Sequence, residues 1–462
     1  MGETTVKNKS HVHFIGIGGI GMSGIAQLFL NQGVKVSGSD LKENTITQEL
    51  KKSGAAIFRG HDQRNIFGAD VVVYSSAVKE DNPEIIAAKD KGVTLLKRAQ
   101  ALAFLMQDKA AITVAGSHGK TTVTSLVSYL LIKAGLCPTV AIGGILKNIS
   151  TNARAGEGKF FVAEADESDG SFLYYAPKYS IITNIDREHL DYYGDFEREI
   201  ETFREFIART QPDGCVFCCD DDVNLKNILA AYKNRHVLFG LTERAHVYPK
   251  HIEINGLSSQ FDCYCKNKLV GRFNLALGGM HNISNALSVI ALGLELKIDT
   301  PVIQGILKEY KGVSRRMEIK FKNKEFLIID DYAHHPTEIK ATLAAVKNLK
   351  PRRIIALFQP HRFSRTQALL DEFGKSFDFA DHIVITDIYP ASELPIPGIT
   401  GRCVYDKIKA YAREKEAYFL PKEEITPHVI KIMKPGDLII TLGAGDIVKV
   451  CDELVERIKG QR

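Results

Sequence analysis

No stretch of this chain is strongly basic, none is an uninterrupted apolar run, and its cysteines are scattered. Each absence excludes something. With no basic run or cluster, and a formal charge of only +5 over 462 residues, nothing marks a nucleic-acid binder. Residues 1–10 are polar and lack the apolar centre of a signal peptide. Residues 12–30 are rich in apolar side chains, but five glycines interrupt them, which argues against a membrane span. The eight cysteines form no disulfide-dense pattern. Cys215, Cys218 and Cys219, with Cys263 and Cys265, lack the paired spacing of a zinc ribbon and read as strand thiols in a reducing compartment. A cytoplasmic protein is expected. There is no repeat and no low-complexity tract, and the length suggests about three domains.

What is present is a nucleotide loop. Ala110 to Ala115 is an apolar strand, and Val123 to Ala134 has helical spacing that stops at Gly135. Between them lie Gly116, Ser117, His118, Gly119, Lys120, Thr121 and Thr122. A glycine turn leading into Lys-Thr at a helix start cradles phosphates. Backbone N–H groups and the helix N-terminus receive the charge, the lysine reaches the β- and γ-phosphates, and the threonine hydroxyl meets Mg²⁺. The loop is a variant, because Ala115 stands where the usual first glycine falls.

Strands and helices alternate on both sides of this loop, which predicts an α/β class with parallel sheets. The first block runs over residues 1–107, the second over 108–312 and the third over 313–462. Between His246 and Leu277 the pattern alternates with period two around Asn255-Gly256 and predicts a small antiparallel element. In the first block Gly16, Gly18, Gly19 and Gly21 follow a strand and open a helix, with Asp40 ending the next strand. That pattern suits a dinucleotide, yet any diphosphate can use the same turn. With a separate nucleotide loop in the second block, a nucleotide-linked substrate explains the turn better than a nicotinamide.

Glu164 ends a predicted strand and is placed to hold a cation; Asp166, Glu167 and Asp169 follow it as loop acids that can be solvated. Thr183-Asn184-Ile185-Asp186 is a distant echo of a guanine-reading motif, with Asn184 in place of the lysine it needs. His189 lies just past a strand end, where ligands bind in α/β sheets. His281, Asn282 and Asn285 open a helix, either as caps or as ligand groups. Arg315 and Arg316 close the second block, and Asp330-Asp331 with His334-His335, then His361, Arg362 and Arg365, follow strands of the third.

In this order, Gly16 to Gly24, Gly116 to Thr122, Glu164 to Asp169, Thr183 to Asp186 with His189, His281-Asn282, Asp331 to His334 and Gly443 to Asp446 resemble the Mur ligases over essentially the whole chain. The resemblance implies three domains: a Rossmann-like N-terminal domain for the sugar nucleotide, a central P-loop ATPase domain with a mixed sheet, and a Rossmann-like C-terminal domain for the amino acid. It implies ATP and Mg²⁺ as cofactors, and UDP-N-acetylmuramate and L-alanine as substrates. Lys120, Glu164 and His189 would carry catalysis, with Thr121, Glu164 and His189 on the metal. His281, Asn282 and Asn285 would lie near adenine, Arg316 near the phosphates and Asp331 at the ribose. Gly16, Gly18, Gly19, Gly21, Ser39, Asp40, Ser75, Ser76 and Arg98 would hold the uridine diphosphate. His334, His335, Arg362 and Arg365 would position the amino acid or the substrate carboxylate. Ser117 stands where many members have Thr, and the carbamylated lysine of some members has no counterpart after His189. The sequence does not choose among L-alanine, glycine and L-serine, since a methyl-sized difference is worth only about 1–3 kcal/mol.

Overall fold

Val12, Phe14 and Ile15 are fully buried and put β1 (His11–Ile15) at the middle of the first sheet. The computed structural model describes residues 10–75, 77–391 and 393–460. With β1 come β2 (Lys35–Asp40), β3 (Ala56–Arg59), β4 (Val71–Tyr74) and β5 (Thr94–Lys97), all parallel, in the order β3-β2-β1-β4-β5. The order reverses between β1 and β4, and the glycine turn leaves the carboxyl end of β1 at that switch point, where such sheets bind ligands.

A buried polar network lies under this sheet. Glu84 is fully buried, and its carboxylate accepts hydrogen bonds from Ser39 Oγ (2.6 Å) and Asn65 Nδ2 (2.6 Å). His13 Nε2 stands 3.5 Å from the same carboxylate, and His13 Nδ1 is 2.8 Å from Ser37 Oγ. Burial would raise the Glu84 pKa, but His13, Ser39 and Asn65 hold it below the usual glutamate value. A buried carboxylate persists only when it is paired and hydrogen-bonded in this way.

The second sheet contains β6 (Ala110–Ala115), β7 (Thr139–Leu146), β8 (Thr151–Arg154), β9 (Phe160–Glu164), β10 (Tyr179–Ile182), β11 (Cys215–Cys219) and β12 (His236–Phe239). They run in the order β12-β11-β10-β6-β9-β7-β8, parallel except that β8 is antiparallel to β7. The first compact unit holds both sheets to Tyr248, with Cys265–Asn267 and Leu287–Ile306. The second holds Pro249–Tyr264, Lys268–Ala286 and the chain from Leu307 on. It holds most of β13 (Val247–Asn255) and β14 (Ser258–Cys265) and all of β15 (Lys268–Leu275), the expected small alternating element, then a six-stranded sheet.

That sheet is β16 (Glu318–Lys322), β17 (Leu327–Asp331), β18 (Arg353–Phe358), β19 (His382–Ile385), β20 (Glu416–Phe419) and β21 (Asp437–Leu442), in the order β16-β17-β21-β18-β19-β20. Only β16 is antiparallel. Successive residues supply opposite faces: Ile329 and Ile354 join one core, Ile328 and Ile355 the other. No helix among the described residues is long and apolar enough to cross a membrane. The eight cysteines are free thiols, and Cys215, Cys218 and Cys219 lie buried in β11.

Candidate active site

The nucleotide loop takes the predicted form, with its helix starting earlier, at Lys120 (Lys120–Lys133). Gly116 (φ 127°) and Gly119 (φ 86°) adopt backbone conformations that only glycine takes without strain. The loop is held from outside by the segment after β10. Thr183 Oγ1 donates to the His118 carbonyl (2.6 Å), and Asn184 Oδ1 accepts the His118 N–H (2.9 Å). Ser117 Oγ accepts from Asp186 N (2.8 Å), and His118 Nε2 lies 2.9 Å from Asp186 Oδ2. Thr183–Asp186 is therefore a clamp on the phosphate loop, not a base reader. This also explains why β10 stops at Ile182 instead of the expected Ile185.

Lys120 Nζ is drawn inward, donating to Gly116 O (2.6 Å), Ser117 O (3.1 Å) and Glu167 Oε1 (2.7 Å). Burial works against its charge, but Glu167, Asp166 and Glu188 hold its pKa well above the usual lysine range. Glu167 is thus not a solvated loop acid: it is completely buried, and the Tyr193 hydroxyl donates to its carbonyl. Burial pushes its carboxyl up to about 7 against the pull of Lys120. Asp166 is not free in solvent either, since Oδ2 accepts from Arg98 Nη2 at 2.7 Å.

The carboxylates of Glu167 and Glu188 and the imidazole of His189 offer donor atoms within 4.8 Å of one another. Glu167 Oε2 is buried without a hydrogen-bond partner. Two carboxylates beside an imidazole, one oxygen awaiting a ligand, fit a divalent cation. His189 has a left-handed backbone (φ 54°), so the chain turns sharply here into the short helix Leu190–Tyr193. Glu164 ends β9 opposite Val114 of β6, and its carboxylate accepts the Gly143 N–H at 2.7 Å. Thr121 lies one residue into the loop helix and is buried.

Two acids escaped the sequence reading. Glu188 carried no signal beyond its place beside His189. Glu199 sits on the amphipathic helix Phe196–Ala208, where alternation alone gives a solvated face, yet it is fully buried. Its Oε2 accepts from Glu188 N (3.3 Å), and burial, with Glu167 and Glu188 nearby, pushes its pKa up to about 9.

In the first sheet, Gly16 N and Ile17 N donate to Ser39 O (2.8 and 3.0 Å), and Gly18 N donates to Asp40 Oδ2 (2.9 Å). The Ser39 hydroxyl is buried toward Glu84 and His61, so Ser39 serves the turn through its carbonyl. Arg98 lies against the turn, 2.7 Å from where a Gly21 Cβ would stand. Gly19 is the cap of the helix Ile20–Asn31, and Ser75 O accepts from Val78 N. Ser76 lies outside the described residues.

In the second unit the predicted groups gather at the carboxyl ends of β17, β18 and β21. Asp331 accepts from Met317 N (2.6 Å) and Ala333 N (2.8 Å), and burial lifts its pKa to about 6. Arg315 and Arg316 both stack on the Tyr332 ring, and Arg315 Nη2 donates to Gly443 O (2.7 Å). His335 caps the helix Pro336–Lys347, and His334 packs edge-on against the His361 ring. Burial, then His334, Arg365 and Arg362, push the His361 pKa far down, so the ring is neutral. Arg365 Nη1 donates to His361 O, and Arg362 lies 3.9 Å from Glu393. Asn282 is not a cap but donates to Gly278 O (2.8 Å) from within Met280–Glu295, beside His281 and near Asn285.

The chain matches three family descriptions in order: "Mur ligase family, catalytic domain" over residues 11–110, "Mur ligase middle domain" over 114–293 and "Mur ligase, glutamate ligase domain" over 315–445. It belongs to the Mur ligase family. Among Mur ligases it is similar to the UDP-N-acetylmuramate–L-alanine ligase of Geotalea uraniireducens (strain Rf4), 46% identical over 449 residues, 97% of this chain and 98% of the relative. The crystal structure of UDP-N-acetylmuramate–alanine ligase from Thermotoga maritima superposes with a TM-score of 0.84 at 31% identity, covering 98% of this chain and 100% of that one. A murein peptide ligase from Psychrobacter arcticus 273-4 shares the fold, with a TM-score of 0.74 at 24% identity over 97% of this chain and 98% of its own.

Proposed function

We propose that this Mur ligase joins L-alanine to the lactyl carboxylate of UDP-N-acetylmuramate at the expense of ATP, releasing ADP and phosphate, in the cytoplasm during peptidoglycan synthesis. The observation that carries the reading is similarity along nearly the whole chain to relatives named for that reaction. The buried lysine in a clamped phosphate loop supports the ATP step.

On this reading residues 1–107 bind the uridine diphosphate, 108–312 the ATP, and 313–462 the amino acid. A carboxylate is a poor acylating agent, so its oxygen attacks the γ-phosphorus, the bond to the β–γ bridging oxygen breaks with ADP as the leaving group, and an acyl phosphate forms. Lys120 neutralises charge on the β- and γ-phosphates, and the glycine loop fixes their position. The neutral amine of L-alanine then attacks the acyl carbon, and phosphate leaves. Thr121, Glu164 and His189, with Glu167 and Glu188, are the residues that would hold Mg²⁺, which when bound neutralises phosphate charge. Asp331 and Arg316 serve the nucleotide, and Arg362 and Arg365 face the amino acid or the substrate carboxylate.

The test is ADP release with ATP, UDP-N-acetylmuramate and L-alanine, glycine or L-serine in turn. The reading expects release that needs both the sugar nucleotide and the amino acid, highest with L-alanine, and none from Lys120→Ala. Release independent of the sugar nucleotide, or an unimpaired Lys120→Ala, refutes it.

A further inference from the structure

Arg98 opens the helix Arg98–Met106 and lies between two sites. One side of its guanidinium lies against Gly21 of the glycine turn; the other donates to Asp166 Oδ2 at 2.7 Å. Asp166 stands on the loop after β9, with Glu167 of the Lys120 pair as the next residue. Lys120 Nζ donates to Glu167 Oε1 at 2.7 Å, so the acid that pairs with Arg98 and the acid that pairs with the phosphate-loop lysine are consecutive residues. Two consecutive acids thus link a cation at the sugar-nucleotide turn to the cation at the phosphate loop. Asn152 Nδ2, on β8, donates to Ile20 O (2.7 Å) at the start of the helix that leaves the glycine turn.

We propose that the Arg98–Asp166 ion pair is a latch through which binding at either nucleotide site strengthens binding at the other. This rests on the substrate assignment given above. With both sites empty, the two charges satisfy each other. A diphosphate arriving at the glycine turn draws Arg98 away from Asp166. A triphosphate with its cation, arriving at Lys120, draws Asp166 away from Arg98. Whichever ligand comes first bears the cost of opening the pair, and the second finds its partner already released. The coupling is therefore positive and, by linkage, the same factor in both directions. The two side chains are about a third exposed (33% and 36%), which places the factor at the lower end of usual couplings.

Calorimetric titration of UDP-N-acetylmuramate, with and without saturating Mg²⁺ and a non-hydrolysable ATP analogue, reads this directly. In the wild type the nucleotide should tighten sugar-nucleotide binding by about five- to tenfold. Asp166→Asn, checked for folding by its thermal midpoint, should bind the sugar nucleotide more tightly on its own, with a ratio near one. Arg98→Gln should also give a ratio near one, with weaker sugar-nucleotide binding, and carries the test if Asp166→Asn does not fold. A wild-type ratio retained in either folded variant overturns the latch alone. A wild type that does not bind UDP-N-acetylmuramate overturns the substrate assignment and the latch with it.

Discussion

Replacing Lys120 by methionine keeps most of the side-chain length and removes the charge, and the structure says how the damage depends on pH. The Glu167 carboxyl rises from 4.5 to about 7 on folding even with Lys120 beside it. A raised carboxyl pKa means the folded state holds the proton more tightly, so this group's contribution is present below pH 4.5 and is lost as pH climbs to about 7. At about 1.4 kcal/mol per unit, that is a loss of roughly 3 kcal/mol in the wild type. Without Lys120 the carboxyl rises further, and the loss continues above pH 7. At pH 6 Glu167 is mostly protonated in both proteins, so the Lys120→Met deficit there comes from the lost hydrogen bonds to Gly116 O, Ser117 O and Glu167 Oε1 and the lost attraction to Asp166 and Glu188, not from a Glu167 charge. From pH 7 to 8.5 it should widen by about 1.4 kcal/mol per unit until the variant's own carboxyl ionises, roughly 2 kcal/mol in all. Thermal midpoints in matched buffers measure this, at about 2–4 °C per kcal/mol for domains of 150–250 residues. Glu167→Gln in both backgrounds should abolish the widening. A deficit equal at pH 6 and pH 8.5 would refute the claim that Lys120 holds the Glu167 charge.

Three further outcomes are expected. Gly116→Ala places a Cβ 2.2 Å from Thr183 Oγ1 on a backbone with φ +127°, so it should cost about 1–3 kcal/mol or more and remove nucleotide binding; a folded variant that titrates normally with an ATP analogue contradicts the clamp. The Asp331 carboxyl is raised from 3.8 to about 6, so its contribution is lost as pH rises through that window; the stability difference between wild type and Asp331→Asn should fall by up to about 3 kcal/mol from pH 4 to 6.5, and a flat difference in urea titrations argues against its burial. Mixing the protein with NADH or NADPH should leave nicotinamide fluorescence unchanged, and enhancement would restore the dinucleotide reading of the glycine turn.

Local signals carried much of the design into the sequence. The apolar run Ala110–Ala115, the glycines and Lys-Thr at a helix start predicted the phosphate loop because every part of it is contiguous. The clamp was hidden because Thr183 and Asn184 act on His118 across 65 and 66 residues, and no short motif encodes that contact. Glu164 was legible as an acid at a strand end. Glu167 was not, because its burial comes from Lys120 and Tyr193, which tertiary folding brings to it. The edge strands β3, β5 and β20 have four partly exposed residues each and carry too little periodicity to stand out. Ser39 was expected to face the ligand, but β2 is buried on both faces at Val36–Ser39, so alternation does not say where its hydroxyl points.

The sealed carboxylate of Glu84 ties together pieces far apart in the chain: His13 on β1, Ser39 on β2, Asn65 between β3 and β4, and its own helix, Pro83–Asp90. These parts cannot be exchanged one at a time. A chimera importing residues 71–97 from a donor with an apolar side chain at position 84 would take the shared carboxylate from the Ser39 hydroxyl and the Asn65 amide, leaving them the His61 ring nitrogen and the Gly60 carbonyl. A viable graft of this lobe has to move as one block, from the first strand through the helix that bears the acid.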